Sequence, residues 1–154
     1  MKFKSILLLI CVICCSVCQA QKKTSSDIWK VGMARKNITP TTSMWMAGYA
    51  ARTSPSEGKL HDLWAKALTL EDSEGHRAIL ITVDLLGIPK EFSDELRDKI
   101  KEKFGLEKSQ IILSSSHTHS GPVLSNALKY IYPMDSTEWG KVDQYTKDLG
   151  MILL

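Results

Sequence analysis

Beyond residue 20 the sequence contains no cysteine: all four, Cys11, Cys14, Cys15 and Cys18, sit in its first twenty positions. Aromatic residues are scarce at 7%, the formal net charge is only +3, and there is no internal repeat or low-complexity segment. Each shortage excludes something. Without thiols the body of the chain has no disulfide framework, no thiolate metal site and no cysteine nucleophile. Without a strong positive field it cannot gather phosphates as a nucleic-acid binder does, so nucleic acid is excluded as a partner. The apolar run from Ile6 to Cys15 falls short of the roughly 20 residues that a membrane-spanning helix needs.

The cysteines belong to an export signal. Lys2 and Lys4 precede the apolar run, and Val17-Cys18-Gln19-Ala20 closes it with small residues, which completes the three parts of a secretory signal peptide over residues 1–20. Cleavage before Gln21 predicts a secreted or periplasmic protein that is free of cysteine. It is also nearly neutral, because the leader takes two of the 20 basic residues and no acidic one. Residues 21–27 read as a polar leader, and residues 28–154 as one domain long enough to bury a core.

Along that domain, residues 28–33 alternate apolar and polar like a half-buried strand, and Pro40 ends the pattern. Residues 63–70 suit a second strand, followed by a hairpin turn over residues 71–75. Residues 78–83 are nearly all apolar and β-branched, which predicts a strand covered on both faces. Phe92, Leu96, Ile100 and Phe104 form one apolar stripe of a helix over residues 89–104, with Pro89 in its first turn and Gly105 as its C-terminal cap. Residues 111–113 form another buried strand. A last helix starts at the capping-box pattern Asp135-Ser136-Thr137-Glu138 and carries Trp139, Val142, Tyr145, Leu149 and Ile152 at helical spacing. Strand, helix, strand in this order predicts an α/β fold, a mixed sheet with a parallel βαβ unit and a right-handed crossover.

Parallel strands end on one edge of the sheet, and α/β sites gather at the carboxyl ends of strands. Asp84 closes the first strand of the unit, while His117 and His119 follow the second, so the three are expected to converge. In extended backbone, residues i and i+2 face the same way, which lets the two imidazoles reach one centre. Neutral imidazole is a good zinc ligand. The competing reading makes them hydrogen-bonded histidines of a Ser/Thr-rich loop, with Asp84 as a cap. Ser114, Ser115, Ser116 and Ser120 surround them, but no G-x-S-x-G elbow is present and turn serines account for them better. His76 reads as a solvated turn residue, His61 is undecided by pattern, and Met44, Trp45 and Met46 read as core.

The blocks VGMARKNITP, MAGYAAR, LHDLWAKALTLED, ILITVDLLGIP and SSSHTHSGP occur in this order, the last being the most specific. Together they resemble the neutral/alkaline non-lysosomal ceramidase family, in its broad microbial branch, over residues 31–149. The resemblance implies the N-terminal part of a larger ceramidase-like catalytic domain. It implies a zinc hydrolase that splits the amide of ceramide, or of a related lipid, into sphingoid base and fatty acid. Such a substrate brings contact with a membrane surface. His117, the first His of HTHSGP, matches a zinc ligand. His119 matches a histidine beside the attacking water, where it stabilises the oxyanion or transfers a proton. Asp84 and His61 fall in family blocks, which makes Asp84 a second candidate catalytic residue and His61 a candidate substrate-binding residue.

The chain also departs from the family pattern. Asn37 stands where Asp is common, and Gly121-Pro122 is followed by Val123-Leu124 instead of two glycines. The family's other zinc ligands, a further His, a Glu and a Tyr, match nothing up to Leu154, so the Zn2+ site is incomplete in this chain. With the apolar close Gly150-Met151-Ile152-Leu153-Leu154, this predicts an inactive or partial fragment of a longer enzyme. Two other readings stand beside it: a non-catalytic secreted module with a decayed site, and a hydrolase of a different amide or ester.

Overall fold

The computed structural model describes residues 28–154; the signal peptide and polar leader predicted over residues 1–27 lie outside the described residues. Four strands form one sheet in the order β1 (Lys30–Asn37), β2 (Trp64–Glu71), β3 (Arg77–Val83) and β4 (Ile111–Ser115). The first three pair antiparallel, and β3 pairs parallel with β4 through the crossover helix α1 (Lys90–Phe104). A short 3-10 turn, Lys108–Gln110, leads into β4, and α2 (Ser136–Leu153) ends the chain. This is the mixed α/β sheet with a parallel βαβ unit that the sequence predicts.

Local chemistry sets the boundaries. α1 buries Phe92, Leu96 and Ile100, and stops at Gly105, whose left-handed backbone (φ 67) returns an N–H to the Lys101 carbonyl. Phe104 departs from the expected stripe, being 44% exposed at the last turn. The Asp135 carboxylate caps α2 by accepting from the Glu138 N–H at 2.8 Å. The reciprocal half of the capping box is missing, because the Glu138 carboxylate instead accepts from the Trp45 indole at 2.6 Å.

Two apolar clusters result. The larger joins Ala65, Ile81, Val83 and Ile111 of the sheet to Phe92, Leu96, Ile100 and Leu149 of the two helices. The smaller packs Met44, Trp45 and Ala47 against Val123, Tyr132 and Val142. Tyr145 packs on both, and its hydroxyl donates to the Ile38 carbonyl at 2.6 Å. Burial pushes its phenol well above the ordinary value.

Two expectations about burial are corrected. β1 is longer than predicted and exposed along its whole length, because it is an edge strand beyond the reach of the helices. β3 and β4 are not covered on both faces: the crossover places α1, with α2 beside it, against one face only. On the other face the facing residues Met33, Leu68, Leu80 and Ile112 make an apolar row across all four strands, with Met33 84% and Ile112 56% exposed.

Leu149 is fully buried between helices and sheet, so Leu149→Ala should cost about 2–5 kcal/mol, read from urea denaturation. Asp94 accepts from both Lys90 and Lys108, and these hydrogen bonds lower its carboxyl from 3.8 to about 2. Its folded-state value is depressed, so the stabilisation is complete above about pH 4 and is lost as pH falls through about 2. A carboxyl titration followed by NMR should place Asp94 near 2, and Lys108→Ala should raise it.

Candidate active site

The parallel pair β3–β4 brings two loops together at one edge of the sheet. The ladder extends one step beyond β4, with the Ser116 N–H donating to the Val83 carbonyl at 3.0 Å. Asp84 then turns its carboxylate back to the sheet and accepts from the Trp64 N–H at 2.9 Å. Its own N–H donates to the Trp64 carbonyl at 3.0 Å, so Asp84 closes the end of the β2–β3 ladder. The backbones converge as expected, but the Asp84 carboxylate is engaged by Trp64 and hydrogen-bonds neither imidazole.

His117 and His119 do meet. Their Nε2 atoms lie 3.4 Å apart, and the rings stand nearly perpendicular at 5.0 Å between centroids. The route differs from the extended backbone that the alternation implied. β4 ends at Ser115, and His117 adopts the left-handed region (φ 57), sparsely populated for a side-chain-bearing residue. His117 Nδ1 sits 2.8 Å from the Leu86 carbonyl. A carbonyl only accepts, so Nδ1 donates, and the tautomer this selects is the one whose Nε2 lone pair faces His119.

His119 is placed by a strap of chain whose residues 44–46 the sequence reads as core and whose continuation lies in the MAGYAAR block. Met46 bridges Pro122, the Ala47 N–H donates to the Gly121 carbonyl at 2.8 Å, and the Val123 N–H donates to the Trp45 carbonyl at 2.9 Å. Gly48 lies against the His119 ring: a Cβ built on it would come within 2.5 Å of Cγ and Nδ1. Its φ of +112 is likewise closed to most side chains. The Gly48 N–H donates to the Tyr132 hydroxyl at 2.7 Å, which ties the strap to the smaller core. Thus MAGY and HTHSGP form one physical unit. The signal available in the sequence was a glycine inside an apolar run.

The two imidazoles fit a zinc ion as partial ligands. Nitrogens bound at about 2.0–2.1 Å in a tetrahedral shell lie roughly 3.3 Å from each other, close to the 3.4 Å seen here. His117 has the hydrogen-bonded second nitrogen that orients a ligating imidazole. His119 Nδ1 is buried with no hydrogen-bond partner among the described residues. A catalytic zinc takes about three protein ligands, and among the described residues no cluster of three His, Cys, Asp or Glu side chains is placed to hold a metal.

The other candidates stay apart from this pair. His61 is exposed in the bend before β2, and no hydrogen bond joins it to either histidine. Ser115 donates to the Leu86 carbonyl at 3.4 Å, and no serine hydroxyl bonds either imidazole among the described residues, which leaves a serine triad without geometry. His76 is exposed in the β2–β3 turn, where its hydrogen bond to Asp72 raises its pKa.

Comparison with known proteins agrees with this architecture. Residues 29–145 match the family described as neutral/alkaline non-lysosomal ceramidase, N-terminal. The chain is 30% identical over 105 residues to neutral ceramidase A of Dictyostelium discoideum, covering 66% of this chain and 15% of that protein. It is 26% identical over 121 residues to the neutral ceramidase of Pseudomonas aeruginosa, covering 75% of this chain and 18% of that protein. The crystal structure of the Pseudomonas aeruginosa enzyme superposes with a TM-score of 0.59 at 24% identity, over 64% of this chain and 16% of that one, and shares the fold. A ceramidase solved in complex with C2 gives a TM-score of 0.55 at 25% identity, over 62% of this chain and 15% of that one. The chain therefore spans less than a fifth of the length of these relatives. With more than half of its residues inside that match, the chain belongs to the neutral/alkaline non-lysosomal ceramidase family, as part of its N-terminal domain.

Proposed function

We propose that this chain supplies the first half of a zinc site for hydrolysis of an N-acyl amide, ceramide or a related lipid, in an exported protein. The observation that carries the reading is the 3.4 Å approach of the His117 and His119 Nε2 atoms, with the His117 tautomer set by the Leu86 carbonyl. Family membership supports an amide-hydrolase role.

His117 acts as the ligand, since its one free nitrogen is an unprotonated Nε2. His119, beside it, either completes the coordination or donates to the developing oxyanion and moves a proton. When bound, zinc supplies a Lewis acid for the amide carbonyl and acidifies the attacking water. The reaction adds water across the C–N bond: the acyl carbon takes the hydroxyl and the departing amine takes the proton. Asp84 contributes by holding the β3 end, which positions the Leu86 carbonyl two residues on. The remaining ligands come from a longer polypeptide, in line with the small share of its relatives that the chain spans. The signal-peptide pattern of residues 1–20 supports a secreted or periplasmic location.

Zinc content and acyl-amide hydrolysis should be measured for this chain, for a version extended by the downstream region of a family member, and for His117→Ala in both. Stoichiometric zinc and hydrolysis are expected only in the extended protein, and His117→Ala should lower both by more than about 100-fold. An extended protein without metal, or a fully active His117→Ala, would overturn the assignment. Gly48→Ala, which drives a methyl group into the His119 ring, should lower hydrolysis by the extended protein at least about tenfold. Ceramide and simpler N-acyl amines assayed side by side will show which amide is preferred.

A further inference from the structure

Three groups on one turn of chain converge on His119. Gly48 packs against its ring at Cγ and Nδ1. The Tyr49 ring lies 4.7 Å from the imidazole, tilted by 57°. The Arg52 N–H donates to the Tyr49 carbonyl at 3.2 Å, a turn that brings the guanidinium back over the Tyr49 ring, 5.2 Å from its centroid. From there Arg52 Nη2 donates to the His119 carbonyl at 2.6 Å, a charge-assisted hydrogen bond. Arg52 Nε is buried with no hydrogen-bond partner among the described residues. The guanidinium thus sits under the constraint of the stack and of one carbonyl, not of an ion pair.

We propose that Arg52 is the positioning residue of the histidine pair, gripping the His119 backbone while stacking on Tyr49, and so setting the affinity of the pair for a divalent cation. This rests on the metal-holding role given to the pair above. The physical need for such a grip lies two residues upstream. His117 is left-handed, and a side-chain-bearing residue stays there only when its surroundings over-determine it. The Leu86 carbonyl holds the His117 ring, and Arg52 holds the chain just beyond it. With the first contact alone, His119 can swing away from His117 by rotation about the intervening Thr118.

Arginine suits the task in a way lysine does not. Its planar fork donates to a carbonyl in its own plane while its face lies on an aromatic ring. Lysine offers a donor without the stack. Leucine at position 49 keeps bulk beside His119 while removing the ring on which both Arg52 and the imidazole rest.

The test compares the full chain with Arg52→Gln, Arg52→Lys, Tyr49→Leu and His117→Ala. Three readouts are used: long-range 1H–15N spectra of the histidine rings, backbone amide spectra of the sheet, and, with the same substitutions made in the version extended by the downstream region of a family member, Zn2+ titration by calorimetry. Arg52→Gln is expected to leave the β-sheet amides in place, shift the His119 ring resonances and weaken Zn2+ binding about tenfold. Arg52→Lys should recover part of both effects, and Tyr49→Leu should move the same ring resonances. Unchanged His119 resonances in Arg52→Gln would overturn the proposal. So would a shift of the whole sheet spectrum, which would make Arg52 a general structural residue. The metal reading fails separately, if the extended protein binds Zn2+ as tightly with His117→Ala as without it. In that event the ring spectra alone still decide whether Arg52 positions His119.

Discussion

Parallel pairing of β3 with β4 is the constraint on which the rest depends. The register runs from Ile79 opposite Ile111 to Val83 opposite Ser115. It forces both chains to leave the sheet at the same edge and almost the same height. Leu86 and His117, separated by 31 positions, therefore fall within one hydrogen bond of each other. An antiparallel partner would have sent the chain after β4 to the opposite edge, away from Leu86. The crossover helix makes the pairing affordable, because α1 buries Phe92, Leu96 and Ile100 over the strands it connects.

The histidine pair stands at a seam between the two cores. The larger core ends at Val83 and Leu85, next to the β3–β4 edge; the smaller one begins at the strap of Met44, Trp45 and Ala47. The strap crosses to the chain after His119 through the two backbone hydrogen bonds that make the Met46–Pro122 bridge. Movement of either core relative to the other would be felt as a change in the distance between the imidazoles. Tyr145, packed on both and bonded to the Ile38 carbonyl, resists that movement from α2, far along the sequence.

Much of this was legible in the residues. The four-residue apolar spacing of α1, the glycine that caps it and the β-branched run of β3 each state a local preference that tertiary packing then follows. Convergence at the strand ends followed from topology alone. Three features were not legible, for different reasons. Alternation in β1 reports which side chains can face a core, but not whether a helix reaches that far; here none does. The hydrophobic character of β3 and β4 does not say which layer covers them, and the face that bears the row Met33, Leu68, Leu80 and Ile112 has no helix on it. The left-handed backbone at His117 was hidden by the His-x-His alternation, which reads as extended, although histidine is one of the residue types that tolerates positive φ. It arises from outside, from the Leu86 carbonyl and the strap.

The contacts that hold the pair fall mainly on backbone atoms. The Leu86 carbonyl fixes the proton on His117, the His119 carbonyl receives Arg52, and the Gly48 backbone forms the wall against the His119 ring. A site built this way makes unequal demands on its neighbours. Leu86 contributes an oxygen that any residue could offer, so its side chain is free to serve the smaller core, against which it packs. Gly48 has no such freedom, because both the required φ and the closeness of the ring exclude a Cβ. Arg52 lies between these cases: its donor could come from several side chains, but the donor together with the stack on Tyr49 comes only from a planar cation. Residue identity around the two histidines is thus fixed where a side chain, or its absence, carries the geometry, and is loose where the main chain does.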